Sequence, residues 1–244
     1  GDGRLHIAHV NSYTRGVIDE AADEVEEALA IVEALRGQVV TEAYLAQING
    51  TNGFCDEEGN VVADVPRNCL SLRGYPPTEV GMRQALVDGY GGAHVERDGR
   101  ITVVYGEEAV EIWEKSGTRA GLSFPVNPAS SAYSLTTARN DEGEFIVDAV
   151  STDGGSLPRN VAIERTFALV SFGGLTALEA AHKLSYMPSR MLGLLNKGHF
   201  SEGADADITV VNPGSGLASM SLVDGKIIEE NGVSVADGGT WLVT

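Results

Sequence analysis

The sequence predicts a mixed α/β fold with a parallel sheet and a small antiparallel sheet near the C-terminus, and three observations carry this prediction. Residues 5–44 read as strand, helix and strand with short joints, a pattern typical of a parallel βαβ unit. An apolar run at 145–150 predicts another strand. Asp224-Gly225 separates two apolar runs, which is a strong signal for a two-residue hairpin.

The first part of the chain shows the clearest periodicity. Short apolar strands are predicted at 5–10 and at 38–44. Between them, apolar residues recur at three- and four-residue spacing over 18–35, which predicts an amphipathic helix. Acidic residues in its first turns suit the positive end of the helix dipole, and Gly37 follows its predicted end.

Residues 49–144 lack this regularity, because Gly, Asn and Pro are scattered through them. Short helices are predicted near 78–88 and 107–116, and the remainder is predicted to be irregular. A long irregular stretch of this kind is typical of a lid, a binding loop or an insertion.

The pattern becomes regular again after residue 145. A helix is predicted from about 160 to 172, and Thr176 with Glu179 forms a predicted capping box at the start of the next helix. That helix is predicted to end near Pro188. Three strands of the small antiparallel sheet are then predicted: 207–211, 219–223 and 226–228.

Composition excludes several classes of function. The chain of 244 residues has 17 basic and 35 acidic residues, and the net charge of −18 argues against a nucleic-acid partner and against docking on an anionic membrane. No apolar run is long enough to span a membrane. Two cysteines do not make a disulfide scaffold, and the first residues do not resemble a secretory signal. A cytoplasmic location is therefore expected.

Two residues stand where chemistry is expected in a parallel α/β protein. His9 and Asp153 each lie at the polar end of a predicted strand, and in a parallel barrel this is the end where active sites form. Asp153 is followed by Gly154 and Gly155, which let the backbone turn sharply beside a metal ligand or general base. The alternatives are a packed or capped histidine for His9 and a turn or helix-cap aspartate for Asp153.

The other histidines and the cysteines give weaker signals. His6 lies three residues before His9, on the opposite side of the predicted strand, so the pair is not a ligand couplet. His182 and His199 are interpreted as structural, and His94 falls in the irregular middle segment. We interpret the two cysteines as free thiols, because neither belongs to a CxxC pair; a substrate-contacting role stays open for both, Cys55 and Cys69.

Three stretches of the C-terminal part together resemble the C-terminal signature of the amidohydrolase superfamily. They are Leu-Thr-Ala-Leu-Glu-Ala-Ala at 175–181, Met-Pro-Ser-Arg-Met-Leu-Gly-Leu at 187–194 and Lys-Gly-His-Phe-Ser-Glu-Gly-Ala-Asp-Ala-Asp-Ile at 197–208. Ser189 and His199 depart slightly from the family pattern, at positions that do no chemistry. Upstream, Asp153 resembles the aspartate of the family's eighth barrel strand. His9 and the following βαβ unit are similar to the sixth-strand region of the hydantoinase, dihydropyrimidinase and D-aminoacylase branch.

This resemblance implies the C-terminal part of a (β/α)8 barrel plus a small β-domain. Residues 1–203 would form a partial barrel, about strands six to eight with a long insertion at 49–144, and residues 204–244 would give strands of the small β-domain. Because the family's His-x-His pair belongs to the first strand, we expect this chain to be one half of a split or cleaved enzyme. An N-terminal half-barrel chain carrying His-x-His would supply the other strands, in a higher oligomer.

The resemblance also implies an activity. The chain would form half of a metal-dependent hydrolase that cleaves a C–N bond of a cyclic amide or N-acyl compound, with one or two zinc ions. Zinc would lower the pKa of water, and Asp153 would take its proton and pass it to the leaving nitrogen. His9 would bind a metal, as would Asp153, or stabilise the oxyanion. The 49–144 segment would shape the choice of small-molecule substrate.

Two other functions stay open on the sequence alone. A deaminase or a formyl-transfer-linked amidohydrolase would share the same metal residues. A non-catalytic assembly subunit would keep the fold and lose the site; the presence of both His9 and Asp153 argues against it. Zinc content near stoichiometric in the purified complex would favour the enzyme over the assembly subunit.

Overall fold

A computed structural model describes residues 4–14, 21–97, 100–153 and 161–236, which form three sheets and the helices packed on them. The strands, numbered β1 to β11 in chain order, are Leu5–Ile7, Val39–Tyr44, Ile48–Asn52, Gly92–Arg97, Arg100–Val104, Gly121–Pro125, Ala149–Ser151, Ile208–Val211, Ala218–Val223, Lys226–Glu230 and Val233–Ser234. The α-helices, α1 to α8, are Ala21–Ala34, Asp64–Leu72, Glu79–Val87, Glu107–Lys115, Ala129–Thr137, Ala162–Ser171, Ala177–Ala181 and Met187–Met191. The predicted mixed α/β fold is confirmed.

Strands β1, β2 and β7 form a parallel sheet with β2 in the centre. All six residues of β2 are buried, because helices α1 and α5 pack against this part of the chain. The apolar core here comes from the 3-10 helix after β1, from α1, β2 and α5, and from the residues before β7: Val10, Val25, Ala28, Val32, Ala43, Leu135 and Val147. Because the strands are parallel, their carboxyl ends lie at one edge of the sheet.

Two strands of this sheet are shorter than the sequence predicts. β1 ends at Ile7, and a 3-10 helix begins at Val10, so His9 lies outside the strand. His6 and His9 therefore do not lie in one strand, and the prediction that they point to opposite sides of a strand does not apply. The strand predicted at 145–150 begins only at Ala149, because Phe145 instead pairs across a loop with Arg139. Residues 18–20 of the first predicted helix lie outside the described residues.

The prediction of an irregular middle segment is wrong. Residues 48–125 form a sheet in the order β3-β6-β4-β5, covered by helices α2, α3 and α4. The two helices predicted near 78–88 and 107–116 are confirmed as α3 and α4. At the centre, the indole of Trp113 is fully buried and donates a hydrogen bond to the Gly53 carbonyl at 2.9 Å. A Cβ on Gly53 would lie 2.5 Å from that indole nitrogen, so only glycine fits.

This middle unit leaves the parallel sheet and returns to it at one place. β3 and β6 are antiparallel, with Ile48 beside Pro125. Just outside that pair, the Gln47 carbonyl accepts hydrogen bonds from the backbone N–H groups of Val126 and Asn127 at 3.1 and 3.2 Å. Both ends of the unit are thus joined by hydrogen bonds directly after β2.

The C-terminal part follows the predicted order with one exception. The capping box of Thr176 and Glu179 is confirmed at the start of α7. The helix does not end near Pro188: α7 continues through a π-helical turn at His182–Tyr186 into α8, which carries Pro188 in its first turn and ends at Met191. The wider π-turn and the first-turn position accommodate a residue that lacks an N–H donor.

The chain then forms the antiparallel sheet β11-β10-β9-β8. The hairpin predicted at Asp224-Gly225 is confirmed between β9 and β10. Across the described ranges, no helix has the length and apolar character needed to cross a bilayer.

A lysine lies at the centre of the contact between the π-turn and the parallel sheet. Lys183 is fully buried, and its ammonium donates to the Val147 carbonyl at 2.6 Å and lies 3.9 Å from the centre of the Phe145 ring. Burial lowers the pKa of Lys183 from 10.5 to about 7, partly offset by the negative charge of Asp148.

This buried lysine predicts a pH-dependent stability. Between pH 7 and about 10 the unfolded chain binds the Lys183 proton and the folded chain does not, so stability should rise with pH through this window. Lys183→Met removes the hydrogen bond to the Val147 carbonyl together with the buried amine, so the stability of the variant relative to the unmodified protein should be most favourable at pH 7 and below and should fall toward pH 10. Thermal unfolding at both pH values, beside the exposed control Lys115→Met, measures this difference. A stability difference between Lys183→Met and the unmodified protein that does not change with pH would contradict the lowered pKa of Lys183.

Candidate functional site

The ends of β1, β2 and β7 bring His9, Glu42 and Asp153 into contact. The Nε2 atom of His9 lies 3.2 Å from Asp153 Oδ1, and its Nδ1 atom lies 2.6 Å from Glu42 Oε1. The two residues singled out in the sequence, His9 and Asp153, are thus neighbours, although 144 positions separate them along the chain. The imidazole lies between two carboxylates, one on each ring nitrogen.

Glu42 is the buried member of this group, with only 4% of its surface exposed. Its Oε1 atom accepts a hydrogen bond from the backbone N–H of His9 at 2.8 Å. Its Oε2 atom accepts a hydrogen bond from the hydroxyl of Ser151, the last residue of β7. The carboxylate therefore joins the ends of all three parallel strands.

A second side chain anchors the segment that carries His9. Asn11 is fully buried, and its amide nitrogen donates to the Tyr44 carbonyl at 3.0 Å while its oxygen accepts from the Tyr44 N–H at 2.8 Å. These two bonds take the place of the backbone hydrogen bonds that a neighbouring strand would make to Tyr44, at a position beyond the end of β1. The Tyr44 ring in turn lies edge-on to His9, with centroids 5.8 Å apart.

Both His9 and Asp153 have left-handed backbone conformations, with φ of 57° and 45°. For residues other than glycine such a conformation costs on the order of 1–3 kcal/mol, and such residues are often found at functional sites. The surrounding hydrogen bonds of Glu42 and Asn11 hold the His9 backbone in this state.

The contact of His9 with Asp153 fits two adjacent ligands of one metal ion. Zinc takes imidazole nitrogen and carboxylate oxygen at about 2.0–2.2 Å, and tetrahedral geometry then separates neighbouring ligand atoms by about 3.3 Å. The observed 3.2 Å matches this separation. Within the described ranges no group of three His, Cys, Asp or Glu side chains is arranged to hold a metal.

The remaining histidines lie elsewhere. His182 stacks on Tyr186 in the π-turn, and His199 bonds the Leu195 carbonyl and the Ser201 N–H through its two ring nitrogens. His94 lies in the middle unit, 2.5 Å from the Ser123 hydroxyl. None of these contacts involves His9 or Asp153.

The two cysteines are buried free thiols, as predicted, and both lie in the core of the middle unit. Burial raises the pKa of Cys55 to about 11, which keeps its thiol protonated at neutral pH. A protonated, buried thiol is a poor nucleophile and a poor metal ligand.

The sequence analysis did not identify Glu42 and Asn11 as site residues. Glu42 stands in a strand of otherwise apolar and small residues, and a charged residue in a fully buried strand is the signal that would have pointed to it. Asn11 follows β1 within a polar run, where nothing in the local pattern distinguishes it from a solvated loop residue.

No protein-family model matches the chain. Among curated proteins, a dihydroorotase of Pelotomaculum thermopropionicum is 26% identical over 203 residues, which cover 72% of this chain and 46% of that protein. Among solved structures, a D-aminoacylase studied for its binuclear metal centre aligns with 96% of this chain and 48% of its own, at 14% identity and a TM-score of 0.60. The N-acyl-D-glutamate deacylase of Bordetella bronchiseptica, complexed with zinc and a phosphonate inhibitor, aligns with 92% and 46% at 11% identity and a TM-score of 0.51.

These comparisons confirm the resemblance to the amidohydrolase superfamily. The chain has the fold found in D-aminoacylase, which was described as defining a subset of amidohydrolases. It spans about half the length of the proteins that it matches.

The Asn11 contacts predict a large loss of stability in Asn11→Ala. The substitution leaves a buried N–H and a buried carbonyl of Tyr44 without partners, at a cost of about 2–4 kcal/mol in the free energy of unfolding. Asn212→Ala is the matched control, because Asn212 accepts bonds from the Gly214 and Ser215 N–H groups in an exposed turn. It should cost about 0.5 kcal/mol. Equal denaturation midpoints for the two variants would show that Asn11 does not anchor β1.

Proposed function

We propose that this chain forms the C-terminal half of the catalytic barrel of a metal-dependent amidohydrolase, and that it cleaves a C–N bond of an N-acyl compound or cyclic amide. The observation that carries the proposal is the convergence of His9 and Asp153, from the ends of two strands that flank β2, at 3.2 Å. The fold shared with D-aminoacylase and the sequence relation to a dihydroorotase support the reaction class.

His9 and Asp153 would hold one side of the metal centre. When bound, zinc would lower the pKa of water toward neutrality and polarise the substrate carbonyl. Asp153, whose side chain is 24% exposed at the edge of the sheet, would take a proton from the attacking water and deliver it to the leaving nitrogen. His9 Nε2 faces the same place and would orient the reacting groups there.

The partial barrel would be completed by further polypeptide. The described parallel sheet has three strands, and its outer strands β1 and β7 each pair on one side only within the described residues. A closed (β/α)8 barrel has eight strands, so the remaining ones and their metal ligands, including a His-x-His pair, would come from an N-terminal half. That half would be a partner chain or another part of the same protein, and the small sheet of β8 to β11 would belong to the adjoining β-domain.

The middle unit would shape the choice of substrate. Its first strand begins four residues after Tyr44, which touches His9, and Asn127 of the returning chain donates to the Tyr44 hydroxyl at 2.7 Å. The unit is therefore attached directly at the edge of the sheet where the reacting groups lie.

Asp153→Asn should abolish most hydrolysis without causing the assembled protein to dissociate. The amide keeps the shape and one ligating oxygen but removes the negative charge and the basic site, so turnover should fall by about 10²–10⁴-fold. The assembled protein should keep most of its metal through its other ligands. Turnover on the native substrate and metal content by mass spectrometry measure both effects. Near-normal turnover would show that Asp153 has no catalytic role and only occupies a turn.

Alanine variants of three histidines test whether His9 has a role that His182 and His199 do not share. His9→Ala should lower metal retention or turnover in the assembled protein, because it removes one of two converging ligands. His182→Ala and His199→Ala should change thermal stability at most, because their contacts lie within helices and turns. The same assay on all three variants is the measurement, and equal losses in all three would contradict the assignment of His9.

The chain of residues 1–244 should not fold well alone. Among the described residues, β1 and β7 each have one edge without a paired strand, and such edges favour aggregation. We expect insoluble protein when this chain is expressed by itself and soluble protein when an N-terminal half is co-expressed. Size-exclusion chromatography distinguishes the two states. A soluble, monomeric species of 25.7 kDa that unfolds cooperatively would overturn the idea of an incomplete barrel.

A further inference from the structure

Tyr44 is the last residue of β2, and it is held both at its backbone and at the tip of its side chain. Its ring is fully buried. The backbone N–H and carbonyl are bonded by the Asn11 side chain at 2.8 and 3.0 Å. The hydroxyl accepts a hydrogen bond from the Asn127 amide at 2.7 Å. Two separate stretches of chain therefore determine where this ring lies.

The bond between Asn127 and Tyr44 adds direction to the ring rather than apolar area. A buried tyrosine hydroxyl needs a hydrogen-bond partner, and Asn127, which is only 3% exposed, supplies it. The backbone N–H of Asn127 donates to the Gln47 carbonyl at 3.2 Å, so this residue is anchored where the middle unit rejoins the sheet. The tip of the Tyr44 ring cannot turn away without breaking the bond to Asn127.

The fixed ring of Tyr44 faces the imidazole of His9. The two centroids are 5.8 Å apart and the ring planes make an angle of 70°, which is an edge-to-face arrangement. Aromatic pairs favour this arrangement beyond the apolar area that they bury. The torsion that turns a histidine ring about its Cβ–Cγ bond is otherwise soft, so contacts with neighbours decide the ring plane.

The described contacts of Glu42 hold the backbone of His9 more firmly than its ring. The carboxylate accepts the His9 backbone N–H at 2.8 Å. Within the described residues the ring Nδ1 has no hydrogen-bond partner, although it lies 2.6 Å from Glu42 Oε1. Nε2 must nevertheless face Asp153 Oδ1, 3.2 Å away, if the two atoms are to share a metal ion. The edge-to-face contact with Tyr44 supplies a restraint on the ring plane.

We propose that Tyr44 is a positioning residue, which holds the imidazole plane of His9 so that Nε2 faces Asp153. The part that concerns metal rests on the proposed function; the part that concerns the ring plane rests only on the contacts of Tyr44. Because Asn127 holds the tip of the Tyr44 ring, the same side chain connects the His9 ring to the base of the middle unit.

A double-mutant cycle on the assembled protein separates positioning from a general structural role. Zinc affinity is measured by competition with a chelator in four proteins: unmodified, Tyr44→Met, His9→Ala and the double variant. Methionine fills the space flexibly but has no ring. Tyr44→Met should lower zinc affinity about 2–10-fold, the size of one aromatic pair, and should have no further effect once His9 is alanine. Equal losses with and without His9 would overturn the proposal.

Tyr44→Phe is the conservative variant, because it keeps the ring and removes only the hydroxyl. It should retain most of the zinc affinity that Tyr44→Met loses, and a loss as large as that of Tyr44→Met would overturn the role of the ring. If Tyr44→Met does not fold, the cycle is made with Tyr44→Phe, whose smaller loss should likewise disappear in His9→Ala and would overturn the proposal if it persisted.

A second readout does not depend on zinc. In the zinc-free assembled protein, the carbon-bound ring protons of His9 are identified by the proton resonances that His9→Ala lacks. They should be shifted by the ring current of Tyr44 and keep this shift in Tyr44→Phe. Shifts equal to those of a solvent-exposed histidine in the unmodified protein would overturn the ring contact. A protein with the expected shifts that binds no zinc and cleaves no amide would refute the proposed function and leave the ring contact standing.

Tyr90→Met is the matched control. The Tyr90 hydroxyl donates to the Cys69 carbonyl at 3.0 Å, and its ring packs on Phe124 with centroids 5.4 Å apart, inside the middle unit and away from His9. This variant should lower thermal stability and leave both zinc affinity and the His9 ring-proton shifts unchanged. A loss of zinc affinity equal to that of Tyr44→Met would mean that general loosening causes the effect, and would overturn the proposal.

Discussion

The burial of the Glu42 carboxylate is the constraint on which this end of the molecule depends. A charge removed from water costs several kcal/mol unless polar partners replace the lost hydration. Here the partners come from the segment after β1 and from the end of β7. The carboxylate is tolerated only when three separate stretches of chain meet in this order, so the order of the strands and the geometry around His9 are determined together.

The three C-terminal stretches that carry most of the resemblance contain neither His9 nor Asp153. In the stretch at 187–198, Arg190 donates from Nη2 to the carbonyls of Leu194 and Lys197 at 2.9 and 2.8 Å. A Cβ on Gly198 would lie 2.6 Å from the Ser185 carbonyl oxygen, so this glycine permits a close approach of two backbones. The signature therefore describes how the end of the barrel segment packs, and the geometry of His9 and Asp153 is a separate argument for function.

Periodic and local signals in the sequence predicted much of the fold. Helix α1, strand β2, the Thr176 capping box and the Asp224-Gly225 hairpin all depend on residues close together along the chain. His9 and Asp153 were singled out from their positions near the ends of predicted strands, and their contact follows from parallel strands sharing one edge.

The features that sequence reasoning missed depend on contacts between distant residues. Strands β3 and β6 are short and rich in glycine and polar residues, so their pairing becomes visible only when Trp113 and Leu122 fill the space above Gly53. The π-turn before Pro188 has no local sequence signal, and it occurs where Lys183 must reach the Val147 carbonyl. Glu42 resembled an ordinary strand residue until its partners from two other strands were known.

The middle unit is attached to the parallel sheet at a single place, which allows it to be exchanged during evolution. Its two ends are hydrogen-bonded to each other beside Gln47, and its core of Trp113, Leu122, Phe124 and their neighbours is its own. A short turn between Gln47 and Asn127 would close the chain if the unit were removed. Recombination can therefore exchange the unit between related genes as a single cassette, while the parallel sheet and the contact of His9 with Asp153 keep their places.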